Sequence, residues 1–510
     1  MEDVFYYIVS VGGAISFCLI LRLVPYLARL GESISWFYRR YLTNVNIISR
    51  HRLIGPFSWA DLGFSIIYIS LNIIFVFYPN GPNLVKGRRC GILALSNMVT
   101  LYASPGVSVL ADLLGIRLRT WRRLHRAAGL MICALTGFHI IFNLTGTQPI
   151  LLRERGIIYG IIASASILLA MLLPLPIIRQ IVYPVFYPSH YLLAISVIYA
   201  TWMHMPRDSS ASWYLTYAIL GTFGTTFLFE ICATFYRNGA FGSRWSKGVI
   251  ERRDDGSLRI EVVLGRPVVV LPGQYINLWV PSFNPWSWFQ VSSFTITSWS
   301  VEKQHRLQFL AKRPNRSFGF TWLLTKSRQH LTFLSGPHGL SEPAPRYETV
   351  LLIASDAGIL AIKPYVEQVF HCIKKKTSKT RRLCLAWHVS GQQMGMNLMT
   401  EMAGWINRLI YYNEEDKTHT MVFDPKRLIG LIPGESGTRG QISRSSPNFN
   451  DILGQEVQGH RQRLVEDVKA ERGKMLVLVS ASDKVRDDLQ QSAKGYLRWV
   501  RIVELDYQPT

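Results

Sequence analysis

Up to about residue 235 this chain is a succession of long apolar segments, and beyond it the composition is that of an ordinary soluble protein. Seven segments, roughly 5–24, 60–78, 91–110, 124–144, 156–175, 189–205 and 212–233, each come near the ~20 residues that cross a bilayer. Backbone in hydrocarbon must satisfy its own hydrogen bonds, so these segments are expected to be helices. The spacing therefore predicts an all-α membrane bundle of about seven spans joined to a soluble half.

Charge gives the orientation. Arg29, Arg39, Arg40, Arg50 and Arg52 follow the first segment, Arg117, Arg119, Arg122 and Arg123 precede the fourth, and Arg237, Arg244 and Lys247 follow the seventh. With seven spans these places share one side, which the positive-inside rule makes the cytosol. The N-terminus is then outside and the C-terminal half is cytosolic. Lys86, Arg88 and Arg89 in "NLVKGRRC" read as an exception, a basic outer loop. The formal charge of +23 is thus accounted for by topology and cofactor phosphates, and no nucleic-acid partner is expected. The six cysteines form no CxxC pair, which indicates neither a disulfide framework nor a zinc site. The first segment lacks a basic leader and a cleavage site, so it reads as a retained span. A glycosylation sequon, Asn143-Leu144-Thr145, falls at the outer end of the fourth span.

Histidines stand out in the apolar half. His125 and His139 lie in "RRLHRAAGLMICALTGFHIIFNLTG", and His190 and His204 in "SHYLLAISVIYATWMHM". A neutral imidazole in hydrocarbon still needs polar partners, and a charged one is costlier. Both pairs have a separation of fourteen, which falls about 40° short of four helical turns, so each pair shares one face, ~21 Å apart along the axis. One span separates the two helices, so they run in the same direction. His125 then faces His190 near the inner surface, and His139 faces His204 near the outer one. Two levels of facing imidazoles suit two six-coordinate b-type haems stacked across the membrane. A proton relay or a metal transporter is the alternative. Gly129, one turn from His125, would let a flat macrocycle approach or would merely pack helices.

After Arg237, "LRIEVVL" and "RPVVVLPGQYINLWVP" alternate in the manner of antiparallel strands, which suggests a β-barrel. "YETVLLIASDAGILAIKPYVEQVF" reads as a buried strand, a small-residue turn and a helix, the opening of a nucleotide-binding α/β fold with phosphate on the helix N-terminus. "RRLCLAWHV" and "KMLVLVSAS" add strands, and the polar stretch between them reads as a flexible insertion.

In this order, these segments resemble the ferric reductase family of flavocytochrome b membrane oxidoreductases in its fungal form, related to the NADPH oxidases. The histidine pairs match, "PGQYINLWVP" precedes "SSFTITSW" in the place of the family's HPFTI, "GFT" resembles its flavin-pyrophosphate turn, "GPHG" its GPYG, and "SDAGILAIKPY" its nicotinamide turn. The ending "VELDYQP" also looks like fungal members. The resemblance implies a multi-domain protein. Residues 1–58 would be a span and linker, 59–236 a di-haem bundle, 237–344 a cytosolic antiparallel β-barrel binding FAD, and 345–510 an α/β domain binding NADPH, with an insertion at about 424–465.

It also implies roles. His125 and His190 would ligate the inner haem, and His139 and His204 the outer. Ser292, Phe294 and Thr295 would lie at the flavin, and Gly319 and Thr321 at its pyrophosphate. Ser355, Gly358 and Ile359 would cradle the nicotinamide nucleotide. Electrons from NADPH would reach chelated ferric or cupric ion outside a plasma membrane; oxygen would be the acceptor in an oxidase. Some positions depart from the pattern. Ser292-Ser293 replace the family's His-Pro, Asp356 replaces a glycine, His338 replaces a tyrosine, and "VSAS" stands where many relatives have Cys-Gly. A haem membrane protein with an impaired NADPH site is the reading these departures favour.

Overall fold

The computed structural model describes residues 38–43, 45–48, 50, 55–103, 107–145, 154–175, 178, 183–206, 209–240, 244–252, 257–281, 291–311, 329–388, 420–424, 440–442, 447–467 and 474–507. The first expected span, 5–24, lies outside the described residues, as do Gly319 and Thr321.

Among the described residues the apolar half has seven α-helices: α1 (Trp59–Phe77), α2 (Asn83–Tyr102), α3 (Val107–Leu113), α4 (Leu118–Leu144), α5 (Arg155–Leu172), α6 (Tyr183–His204) and α7 (Ser210–Arg237). A capping box starts α1: Asp61 N–H donates to Ser58 Oγ at 3.2 Å and Ser58 N–H to Asp61 Oδ2 at 2.9 Å. Four helices, α1, α4, α5 and α7, are long and apolar enough to cross a membrane. Phe64, Ile67, Leu130, Leu192 and Phe229 on these helices and on α6 stay exposed, as lipid-facing side chains should. The chain is a membrane protein, and the expected count of seven spans is not reached on length and apolarity among the described residues.

Two boundaries differ from expectation. "NLVKGRRC" is no loop but the start of α2, so the helix at the place of the expected span 91–110 runs 83–102, and α3 is a separate short helix. Arg89 donates to the carbonyls of Pro79 at 2.6 Å and Val76 at 3.3 Å, and Lys86 sits 5.7 Å from the Phe77 ring. These basic groups lie at the end of α1, where their long side chains reach carbonyls and an aromatic face. The sixth helix begins at Tyr183, with Pro188 inside it, six residues before its expected start at 189.

Beyond α7, seven strands follow among the described residues: β1 (Lys247–Arg252), β2 (Leu258–Val268), β3 (Tyr275–Trp279), β4 (Val291–Thr295), β5 (Gln304–Ala311), β6 (Gln329–Leu331) and β7 (Phe333–His338). They form two antiparallel sheets, β5-β2-β1-β6 and β4-β3-β7. Ile260, Val262, Ile276, Leu278, Leu307 and Leu334 fill one core between them. The expected barrel is, among the described residues, two ladders around a shared core.

Next come β8 (Thr349–Ser355), α8 (Ile359–Lys374), β9 (Arg382–His388), β10 (Thr420–Asp424), β11 (Gly440–Ile442), α9 (Phe449–Asp467), β12 (Met475–Ser480), α10 (Asp483–Ser492) and β13 (Val500–Glu504). All six strands are parallel, in the order β11-β10-β9-β8-β12-β13. Val350, Leu352 and Ala354 face one core and Leu351 and Ile353 the other, the double burial typical of a parallel sheet covered on both faces. Part of the expected insertion is structural. Phe449, Leu453 and Val457 recur every four residues and seat α9 in the core, and Arg382 Nε pairs with Glu456 at 2.7 Å.

The C-terminal half is stitched to the bundle at its joints. At the end of α7, the Asn238 amide donates to Leu334 O at 2.9 Å and accepts from Leu334 N–H at 3.0 Å. It therefore acts as one more rung on β7, and it is fully buried. Asn238→Ala would strand a buried backbone donor and acceptor. A loss of roughly 2–3 kcal/mol is expected, read as a lowered melting temperature of the detergent-solubilised protein; an unchanged melting temperature would show that water replaces the rung.

Candidate functional site

The four histidines meet as two pairs. The rings of His125 and His190 have centroids 6.3 Å apart, and those of His139 and His204 are 6.0 Å apart. This spacing decides between chemistries. Imidazole rings joined by an N–H···N bond of about 2.9 Å would have centres roughly 5 Å apart. Two imidazoles that share a metal at about 2 Å from each nitrogen would have centres roughly 6 Å apart. The pairs fit the second case. Among the described residues no group of three or more His, Cys, Asp or Glu could hold a bare metal ion. Two ligands per level suit a metal that arrives with its own equatorial nitrogens, and the residues present therefore fit haem.

The outer pair is oriented by backbone. His139 Nδ1 lies 2.7 Å from Gly87 O, and His204 Nδ1 lies 2.7 Å from Gly156 O. A carbonyl only accepts, so both Nδ1 atoms carry the proton, and in the neutral rings Nε2 is the nitrogen with the lone pair. In the inner pair, His190 interacts with the Ala170 carbonyl, but its Nδ1 makes no hydrogen bond of good geometry. Sequence reading missed these carbonyls. The Gly-x3-Gly spacing at Gly87/Gly91 and Gly156/Gly160 was the available signal. Gly129 packs instead against Met171, whose Sδ lies 3.0 Å from where a Cβ would be. The sequon is also recast: Asn143 Nδ2 donates to His139 O at 2.6 Å and packs on Gly87, which commits the atom a glycan would need.

At the nucleotide-fold end, β8 and β12 are neighbours where the strand order reverses, and ligands of such sheets sit in the crevice at that point. Ser355 Oγ accepts from Ser482 N–H at 2.8 Å and ties the two strand ends together. A Cβ on Gly358 would lie 1.8 Å from Ser480 O, so only glycine lets α8 start there. Ile359 contributes its backbone at the helix start, since its side chain is wholly core. Asp356 has φ of 47°, in the left-handed region, which explains why a glycine suits this position and why aspartate is among the few substitutes.

The strand "VSSFT" divides by alternation. Phe294 points into the sheet core, with its ring 6.2 Å from that of Phe309. Ser293 and Thr295 turn outward with Tyr275, Asn277 and His338. Ser293 Oγ donates to Asn277 at 2.7 Å, Asn277 to Ser108 Oγ at 3.2 Å, and Thr295 Oγ1 to Asp506 O at 3.0 Å. His338 Nδ1 is 2.6 Å from Asp112, which also accepts from Gly339 N–H at 2.8 Å. The Tyr275 hydroxyl is buried without a well-formed partner, and burial pushes its pKa up to about 12. Nearby, a cavity of about 440 Å³ is lined by Arg237, Arg266, Lys303 and Gln274 and has no carboxylate on its wall.

An ionic hub holds this assembly to α4. Glu504 accepts from Arg50 at 2.8 Å and Arg119 at 3.0 Å; Asp506 accepts from Arg119 at 2.9 Å and Arg486 at 3.0 Å. Arg119 lies six residues from His125 on the same helix.

The described residues thus set paired imidazoles at two levels in a helix bundle, followed by antiparallel sheets and a doubly wound domain. Residues 90–201 match the family described as "Ferric reductase like transmembrane component". The match contains His125, His139 and His190, and it ends three residues before His204. No curated protein matches the sequence. Among solved structures the chain is similar to a ferredoxin NADP+ reductase from Neisseria gonorrhoeae with bound FAD and NADP, at 12% identity and TM-score 0.33, covering 51% of this chain and 97% of that one. It is similar to a flavohemoglobin from Malassezia yamatoensis with bound FAD and heme, at 12% identity and TM-score 0.36, covering 86% of this chain and 98% of that one. It is also similar to the CS-b5R domains of human Ncb5or, at 12% identity and TM-score 0.33, covering 51% and 68%.

The hub titrates. Burial alone would raise the Glu504 pKa, but its bond to Arg50 and the charges of Arg50, Arg119 and Arg486 hold it below the ordinary value. The stability Glu504 contributes is complete above the unfolded value of about 4.3 and is lost as pH falls through the lower folded value. Glu504→Gln should weaken docking by roughly 2–3 kcal/mol at neutral pH and flatten the acid limb of the stability profile. An acid limb identical to that of the parent would place the titration elsewhere.

Proposed function

We propose that this chain passes electrons from a cytosolic reduced nicotinamide nucleotide, through FAD and two b-type haems, to an acceptor on the far side of the membrane. Chelated ferric or cupric ion is the acceptor we assign, and the plasma membrane the location. The observation that carries the reading is the pair of metal-compatible histidine spacings, 6.3 Å and 6.0 Å, on two helices of the matched family segment.

When bound, the flavin accepts two electrons and releases them singly, and each haem carries one. The chain supplies position. His125 and His190 hold the inner group, and His139 and His204 the outer. The outward row of Ser293, Thr295, Tyr275 and His338 suits a flavin, since the buried Tyr275 phenol offers a donor to a ring with acceptor atoms. The basic cavity of Arg237, Arg266 and Lys303 suits flavin phosphates. Gly319 and Thr321 belong to the same proposal on sequence resemblance. Phe294 supports the flavin strand from behind, through the core. Ser355, Gly358 and the first turn of α8 offer backbone N–H groups and a helix N-terminus to nucleotide phosphates.

Asp356 favours a second reading, in which the bundle keeps its haems but the nucleotide site is weakened. Asp356→Gly separates the two. It relieves left-handed strain of roughly 1–2 kcal/mol and adds backbone freedom costing about 0.5–1 kcal/mol, so stability should change little. Tighter NADPH binding in the variant would expose repulsion by the carboxylate; equal binding would show that it points away from the phosphates.

The reading as a whole is tested by difference spectra of membranes containing the chain. Anaerobic NADPH is expected to produce reduced b-type bands equal to those dithionite produces, and His125→Leu to remove about half the haem. Bands with dithionite alone would support the second reading. No b-type bands under either reductant would overturn both.

A further inference from the structure

The outer histidines are held by two copies of one device. Gly87 and Gly91 lie one turn apart on α2, and Gly156 and Gly160 lie one turn apart on α5. In each copy the first glycine's carbonyl lies 2.7 Å from an imidazole Nδ1. In each copy the second glycine faces the same ring: a Cβ on Gly91 would lie 3.2 Å from His139 Nδ1, and one on Gly160 would lie 2.7 Å from His204 Nδ1. Gly-x3-Gly pairs usually let two helix backbones approach. Here the nearest atoms to both second glycines are imidazole atoms, not backbone. The missing side chains make room for a ring.

We propose that these four glycines are positioning residues for the outer metal-ligating pair, fixing the tautomer and orientation of His139 and His204 and setting the outer group's reduction potential apart from the inner one's. This rests on the haem reading above. A ring nitrogen that donates to a carbonyl makes the opposite nitrogen a more basic ligand. A more basic axial ligand stabilises the oxidised metal, and hydrogen bonding beyond the ligands is one of the levers on haem potential. Among the described residues no glycine faces an inner ring in this way: Gly129 meets Met171, and His190 reaches the Ala170 carbonyl only in poorer geometry. Asn143 completes the outer arrangement, with Nδ2 on His139 O at 2.6 Å and 2.9 Å from where a Gly87 Cβ would sit.

The experiment is a potentiometric titration of the purified, haem-loaded full chain, with haem content measured alongside. Gly160→Ala should force the His204 ring away from Gly156 O. One one-electron step should then move to higher potential, or its haem be lost, while the other step stays. Gly91→Ala, with the milder approach, should move the same step by less, and it replaces Gly160→Ala if that variant does not accumulate. Gly224→Ala on α7, where a Cβ meets nothing within 4 Å, should move neither. Two haems in the parent with both steps unmoved, or both moved equally, in the Gly160 and Gly91 variants would overturn this inference and leave the haem reading standing. A parent without haem would overturn the haem reading and this inference with it.

Discussion

An imidazole in hydrocarbon must find partners for both ring nitrogens, and the membrane half is arranged around that requirement. His139 and His204 each direct Nδ1 at a helix carbonyl, and in both pairs the ring centroids stand about 6 Å apart. The outer rings solve the problem with helix carbonyls already used within α2 and α5, since a carbonyl has two lone pairs. This forces α4 to lie against α2 and α6 against α5, with glycines at the approach. The bundle is therefore two similar helix pairs, each with a histidine-bearing helix and a glycine-bearing one. Their opposition creates the two levels.

The C-terminal half depends on the bundle through a few rigid joints rather than a broad apolar interface. Asn238 continues the β7 ladder from the end of α7. Asp112 reaches from α3 to His338 and Gly339. Arg119 on α4 grips Glu504 and Asp506, whose backbone in turn receives Thr295. The helix carrying His125 and the strand read as the flavin strand are thus linked through one short stretch at the end of β13. Rigidity here has a physical purpose in any electron-transfer reading, because the groups must keep a fixed separation while the nucleotide site exchanges its ligand. The substitutions at His338 and Ser293 take part in these joints. His338 stands in for the family's tyrosine and gains an acidic partner across the boundary; Ser293 ties β4 to β3.

How much was legible in the sequence follows from which physical rule each feature obeys. The histidine pairs were readable because helical geometry converts a separation of fourteen into one face, with no need to know the neighbours. The strand and turn "LLIASDAGIL" was readable because buried parallel strands are continuously apolar. "NLVKGRRC" was misread because a window of hydropathy treats basic residues as loop, whereas long basic side chains at a helix end reach carbonyls and headgroups. Phe294 was assigned to the flavin from its place in a motif, and only strand register shows that its ring faces the core. The helix at Phe449–Asp467 was hidden by its polar face, since three apolar residues suffice to seat it. Gly87, Gly91, Gly156 and Gly160 were visible as letters, but the sequence does not say which ring lies opposite a glycine.

The departures from the family pattern do not weigh equally once backbone is considered. Asp356 occupies a left-handed conformation, so the position demands a residue that tolerates it; aspartate meets the backbone requirement and changes only the charge. Gly358 is retained where a Cβ would strike the Ser480 carbonyl, and no other residue could replace it. The turn thus keeps the glycine that sterics require and gives up the one that strain merely prefers. That steric demand comes from the packing of α8 against β12 and holds whether or not the crevice takes a ligand, so Gly358 speaks for the fold, and Asp356 is the position at which a nucleotide site would be changed.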